Sequence, residues 1–472
     1  MGILNSFYFY DVIFLIVFSL FVFNFLYKRR KKLDKEGWLY LYRTSWGIKF
    51  IDNIGKKYPG TLKVLSYIAV FTGYILMILI MYFFGFIIYV YAKMPQIATV
   101  TKIPPIFPLI PYLPNLFKLD FLPPFFFTYW IIIIALIAIV HEFGHGIFAR
   151  FYNVRVKSTG FGFLGPFLAA FVEPDEKDMQ AKKIFPQLAI LSAGVLMNIL
   201  TAIIFIGVIW TFLALAFTPM GVTFDGYTFK QIPASEIYSV NGVPVNDVQY
   251  SDIFGRSLNE TEKSRVNING EYYIYTYKIM QEHDEESEVY TLYSDLPAIN
   301  TDLKGVIVSI EGESVTAVRE LSNELAKHTP GEEINIRTYD GENFKDNKII
   351  LAEGEDGKPQ VGIWFLNRQG ISSTLSKYLL FFKEPNVYYQ PKIDGVSIFI
   401  YNLFWWIILI SLSVAMVNMM PASIFDGGRF FYLTAFAVFR NEKIAKRIAS
   451  VVAWIILFML ILMMYFYSRA FF

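Results

Sequence analysis

The sequence contains no cysteine and only four histidines, and just 17% of its residues are charged. The first absence excludes a disulfide framework and any thiolate metal site, so a metal ion bound here must take imidazole and carboxylate ligands. The second leaves four positions that can supply an imidazole: His141, His145, His283 and His328. The third, against about 25% charge in ordinary soluble chains, excludes a purely soluble protein, because 55% of the residues are hydrophobic and 18% aromatic. A net charge of +2 over 472 residues points away from nucleic acid. That small total is a cancellation. Residues 219–392 carry 16 Lys/Arg and 27 Asp/Glu, a net of −11, which leaves +13 on the remainder.

What is abundant is apolar length. A membrane-spanning helix needs about 20 mostly apolar residues, and six stretches qualify: 7–27, 65–91, 127–149, 186–217, 395–420 and 449–468. The basic cluster Lys28-Arg29-Arg30-Lys31-Lys32 follows the first stretch, whereas a secretory signal carries its cations before the apolar run. That stretch therefore reads as an uncleaved anchor. Segment 28–63 holds eleven Lys/Arg against three acids, and 429–447 holds five against Glu442. The excess of cations places both on the cytoplasmic side, and six spans make the two assignments consistent. The 150–185 loop then also lies inside, while both termini, 92–126 and 219–392 lie outside. Asp11 falls near the outer end of the first span and is expected to reach the lipid headgroups.

The expected architecture is a polytopic α-helical membrane protein of about six transmembrane helices. It divides into 1–91 (two helices and a basic loop), 92–126 (a proline-rich outer loop), 127–218 (two core helices), 219–392 (a soluble insert), 393–428 (a fifth helix) and 429–472 (a loop and the last helix). Within the third part, segment 158–172 is too rich in glycine for a helix and reads as a strand or hairpin, with Glu173, Asp175, Glu176 and Asp178 as its solvated exit. The insert shows strand-like periodicity and an internal echo: Ser239-Val240-Asn241-Gly242-Val243 recurs 70 residues later as Ser309-Ile310-Glu311-Gly312-Glu313. Each copy has hairpin chemistry, an apolar strand running into an Xaa-Gly turn. The second continues into an amphipathic helix at 317–328, Pro330-Gly331 and a further strand. That order resembles a PDZ domain, a module that takes extended peptide ends. One or two such modules are compatible with the echo. His283, in an acidic run, and His328 are expected to be solvated.

The third span ends in His141-Glu142-Phe143-Gly144-His145. At 3.6 residues per turn, positions i and i+4 share a helix face, so both imidazoles can converge on one metal ion with Glu142 beside them as general base. Ionisable side chains inside a membrane helix are costly and mark function. Catalytic zinc takes three protein ligands, and the fifth span ends Asn418-Met419-Met420-Pro421-Ala422-Ser423-Ile424-Phe425-Asp426-Gly427-Gly428. Spans three and five run in the same direction, which brings Asp426 to the same membrane depth as the two histidines.

HExxH in one membrane helix followed by NxxPxxxxDG in a later one resembles the site-2 proteases, intramembrane zinc metalloproteases of the M50 type. Ala193-Gly194-Val195-Leu196-Met197-Asn198 in the fourth span resembles the small-residue and Asn motif of that family's core helix. The resemblance implies that His141, His145 and Asp426 bind one Zn2+ and that Glu142 is catalytic. It also implies that Asn418, Asn198 and Gly194 contact substrate, Gly194 being equally suited to close helix packing and Asn198 to an interhelical hydrogen bond. Segment 158–172 would act as a re-entrant β element holding an extended substrate. The substrates implied are single-span membrane proteins, already trimmed by another protease. A zinc transporter or receptor using the same His-His-Asp cluster is the alternative, which would call for repeated halves and polar residues on both sides of the bilayer.

Overall fold

A computed structural model describes residues 2–37, 39–94, 109–117, 119, 122–164, 167–244, 263–276, 289–354, 356–365 and 383–469. His283 and its acidic run, the prolines at 104, 105 and 108, and Gly165-Pro166 lie outside the described residues. The chain forms two compact units, one of Met1–Leu213 with Asp394–Phe472 and one of Ala214–Ile393.

Among the described residues, the first unit contains six helices long and apolar enough to cross a membrane. In chain order the helices that matter here before the insert are α1 (Gly2–Arg29), the short α2 (Ile48–Lys57), α3 (Pro59–Lys93), α4 (Phe127–Phe151), the single-turn α5 (Glu176–Gln180) and α6 (Ile184–Ala216). Only a helix satisfies all its backbone groups internally, which is what lipid demands of these apolar runs. Pro59 starts α3 at the one place where a missing N–H costs nothing. Its outer face keeps Phe71, Ile78 and Tyr82 exposed, as a lipid-facing surface requires.

Segment 28–63, expected to be a plain basic loop, is more than that. It forms strands β1 (Leu33–Glu36) and β2 (Leu39–Thr44), which extend the hairpin β3 (Val156–Leu164) and β4 (Phe167–Pro174) into one antiparallel sheet of order β1-β2-β3-β4. β2 runs in register from Tyr40 opposite Phe163 to Thr44 opposite Thr159, so one side of the hairpin is covered and β4 remains an edge. Gly160 permits this crowding: a Cβ there would lie 2.3 Å from the Tyr42 carbonyl oxygen and 2.5 Å from the Phe171 ring. α2 packs on α4 through the fully buried Ile51.

Of the acids expected to be solvated here, Glu176 is exposed, while Glu173 and Asp175 are paired. Asp175 is buried, caps α5 through the amides of Lys177 and Asp178, and pairs with Arg155 and Lys157. The Arg155 hydrogen bond, with the Asp178 amide, holds its carboxyl well below the usual range. Glu173 accepts from the Ser158 hydroxyl at 2.6 Å.

Asp11 also departs from expectation. It is only 2% exposed, and its carboxylate accepts from the amides of Phe127 at 2.8 Å and Thr128 at 2.9 Å, and from the hydroxyls of Thr128 and Tyr112. The first-turn amides of a helix have no partner of their own and carry the positive end of its dipole. An acid from α1 therefore closes the N-terminus of α4 instead of reaching the headgroups. The insert contains α7 (Val318–Leu325), and after it come α8 (Val396–Asn418), α9 (Asp426–Phe439) and α10 (Glu442–Arg469).

The inserted unit is β-rich and, besides two two-stranded pairings, holds two larger sheets over separate cores among the described residues. One has strand order 229–233, 289–294, 271–276, 263–268, 239–240, 243–244 around Ile232, Val266, Tyr275 and Leu292. The other has order 344–350, 333–339, 306–310, 217–222, 387–391 around Val222, Ile307, Ile336 and Ile349. The echoed motifs form equivalent hairpins: φ is +52° and +81° at Asn241-Gly242 and +48° and +87° at Glu311-Gly312, the doubly left-handed turn for which the sequence calls. α7 packs on the second sheet, with Glu320 accepting from the Thr316 amide and hydroxyl. His328, expected to be solvated, is half-buried and bonded to Glu332 at 2.8 Å.

Candidate metal centre

α4 brings His141 and His145 to one face, one turn apart, and both are buried. Their Nε2 atoms are 3.0 Å apart, and the Asp426 Oδ2 lies 3.3 Å from each. Asp426 is the first residue of α9, and the chain reaches it by a tight turn from the end of α8. Gly427 and Gly428 make that turn possible. A Cβ on Gly427 would lie 2.4 Å from the Met419 carbonyl, and one on Gly428 2.3 Å from the Ala422 oxygen.

This triangle fits zinc. Ligand atoms about 2.0–2.2 Å from a tetrahedral ion lie roughly 3.3 Å from one another, close to all three observed separations. Two imidazoles and a carboxylate are also the donor chemistry of catalytic zinc sites. Among the described residues it is the single group of three or more His or acidic side chains so arranged.

The second nitrogens of both rings are held by α6. His145 Nδ1 donates to the Ile190 carbonyl at 2.7 Å. His141 Nδ1 lies 3.0 Å from the Asn198 side-chain amide, while the other amide atom, Oδ1, is buried without a partner. Exchanging the amide oxygen and nitrogen, which are interchangeable in outline, lets Nδ1–H donate to Oδ1. Both imidazoles then carry their proton on Nδ1 and direct a free Nε2 lone pair at Asp426.

Gly194 lies against the same rings. A Cβ there would be 2.5 Å from His145 Nε2 and 2.7 Å from His141 Cε1. Gly144 plays the reciprocal part on α4, facing Ala193 and Met197. These small residues let α4 and α6 approach closely. Neither Gly194, which lies against the Nε2 atoms of both rings, nor Asn198 lines the cavity described next. Asn418 does line it, with its amide nitrogen 3.3 Å from His141 Nε2.

The cavity, about 330 Å³, opens between α4 and α8. Ile134, Ile137, Ala138, Ile410 and Val414 form apolar walls, and His141, Glu142, Asn418 and Asp426 a polar end. Glu142 faces it from beside the triangle and accepts from the Val172 amide of β4 at 2.8 Å. Motif spacing gave the two histidines, Glu142 and Asp426. The contacts of Ile190 and Val172 are made by backbone and leave no signature in residue type.

A sequence model described as peptidase family M50 matches residues 129–463, which span α4 to most of α10 and include every residue of the triangle. An uncharacterised protein of Methanocaldococcus jannaschii is 37% identical over 167 residues, covering 33% of this chain and 44% of that protein. The chain thus spans less than half the length of that relative. With the family match covering more than half the sequence and the zinc-type donor set in place, the chain belongs to peptidase family M50, the zinc-dependent metallopeptidases of site-2 protease type.

Proposed function

We propose that this protein hydrolyses peptide bonds of single-span membrane proteins within the bilayer, near its cytoplasmic face. The observation that carries this reading is the His-His-Asp triangle with Glu142 at the polar end of an apolar cavity between two membrane helices. His141, His145 and Asp426 would hold one zinc ion, which when bound would supply a Lewis acid to polarise the scissile carbonyl and acidify the attacking water. Glu142 takes the proton from that water and returns it to the leaving amine. Asn418, at the cavity wall, donates its amide to the substrate backbone or to the developing oxyanion. Asn198 and the Ile190 carbonyl keep the two rings in the required tautomer.

A helical substrate must unwind before attack, because its own hydrogen bonds shield the scissile bond. The edge strand β4 is the natural acceptor. The Val172 amide points away from β3, toward Glu142. By the two-residue alternation of strands, the backbone groups of Ala170 and Leu168 point to the same open side. An extended segment pairing there lies alongside the catalytic carboxylate. The inserted unit, which we read as extracytoplasmic and PDZ-like, either binds peptide ends or excludes substrates whose exterior bulk has not been removed. Both chain termini lie on that same side by the charge rule. A transit site for zinc is disfavoured, because the described residues offer no second donor cluster along the helices.

The test uses the full chain in detergent with zinc and a single-span test substrate, comparing Glu142→Gln with the parent. We expect cleavage to be lost while bound zinc, measured by elemental mass spectrometry, is unchanged. Equal cleavage by both proteins would overturn the assignment of Glu142.

A further inference from the structure

On the opposite side of the Asp426 turn lies a second, larger pocket of about 670 Å³, between α9 and α10. Its wall along α10 is graded. Lys446 and Ser450 stand at the end near the basic loop, and Trp454 and Leu457 stand one to three turns further along the same helix. From Lys446 to Leu457 is roughly 16 Å at about 1.5 Å per residue. Ala449 and Ala453 lie between them and leave the groove open. Across it, α9 presents Arg429 and Tyr432.

Two cations, Arg429 and Lys446, and three hydroxyls, those of Ser423, Tyr432 and Ser450, share this pocket with the lipid-exposed Trp454 and Leu457, a combination that matches one chemical object. We propose that this pocket binds an anionic phospholipid, with the phosphate at Arg429 and Lys446 and an acyl chain along Ala453 and Leu457. Free phosphate would leave the apolar half unused. Each cation now has an acidic partner, Glu176 on Arg429 at 2.7 Å and Glu442 on Lys446 at 2.6 Å. Glu176, Glu442 and Lys446 are exposed and Arg429 is 30% exposed, and such pairs near the surface contribute at most about 1 kcal/mol, so a phosphate can displace them. The pocket is also lined by Pro421, Ser423 and Gly428, which belong to the turn carrying Asp426. A lipid seated there braces that turn, and with it the carboxylate of the metal triangle.

The experiment has a binding arm that does not depend on the peptidase reading. The full chain, exposed in mild detergent to equimolar phosphatidylglycerol and phosphatidylcholine, is examined by native mass spectrometry. We expect it to retain phosphatidylglycerol several-fold in preference, and Ala453→Phe, which fills the channel, and Lys446→Gln each to abolish that preference. Equal retention of both lipids by the parent, or an unchanged preference in both variants, would overturn the site. In the activity arm, adding phosphatidylglycerol to phosphatidylcholine nanodiscs raises cleavage of the single-span substrate several-fold in the parent. Lys446→Gln keeps the basal rate and loses the increase. An equal increase on adding inorganic phosphate to plain phosphatidylcholine nanodiscs would show that the site takes the free anion and overturn the lipid assignment.

Discussion

Gly194 has no room for a side chain, since the first carbon of one would meet two imidazoles within 2.7 Å. Gly194→Ala should therefore tilt both rings and release zinc, seen as loss of bound metal in the purified protein. Asn198 acts on the same rings through a hydrogen bond. Removing it by Asn198→Ala should lower metal affinity or activity about 10–100-fold, the usual cost of losing an outer partner of a ligating His. Asn198→Asp, which can only accept, should restore most of it, because the oxygen is the atom His141 needs. The histidines, Glu142 and Asp426 were legible in the sequence because helical spacing and chain breakers fix them locally. An interhelical hydrogen bond was one of the two readings open for Asn198, but its partner, His141, 57 positions away, was not legible.

At the scale of elements, β4 is the one to test. Ala170→Pro removes a backbone donor that faces the open side, where a proline is tolerated in an edge strand. We expect kcat/KM for the single-span substrate to fall at least tenfold while bound zinc stays at the parent level. Asp11 serves a different element. Asp11→Ala leaves the first amides of α4 without their acceptor, costing about 1–2 kcal/mol as for other N-terminal caps, and should lower the thermal unfolding midpoint in detergent by several degrees. Six apolar helices were readable from hydropathy, since lipid imposes one rule on all of them. β1 and β2 were not, because Leu33–Glu36 and Leu39–Thr44 are short and become strands only by pairing with each other and, through β2, onto β3. Asp11 was misjudged for a related reason. Its partners come from two other segments, and charge at a helix end looks the same from the sequence whether it meets water or a neighbour's amides.

Over the whole molecule, the two units divide the charge, −11 on 219–392 and +13 on the rest. The inserted unit has its own cores and should fold when expressed alone as residues 214–393, giving a β-type circular dichroism spectrum and a cooperative melt. Its strands at 217–222 and 387–391 are paired antiparallel, and the Lys392 amide donates to the Ala216 carbonyl at 2.9 Å. The chain thus leaves the membrane helices and returns to them through adjacent strands, about 4.8 Å apart. The spacing between the end of α6 and the start of α8 is consequently set by that strand pair, whatever length of polypeptide lies beyond it. Such a doorway is neutral to its contents. A module can be lengthened, exchanged or copied there without disturbing the helices, and the 70-residue echo between the Asn241-Gly242 and Glu311-Gly312 hairpins is the mark that a duplication at such a place would leave.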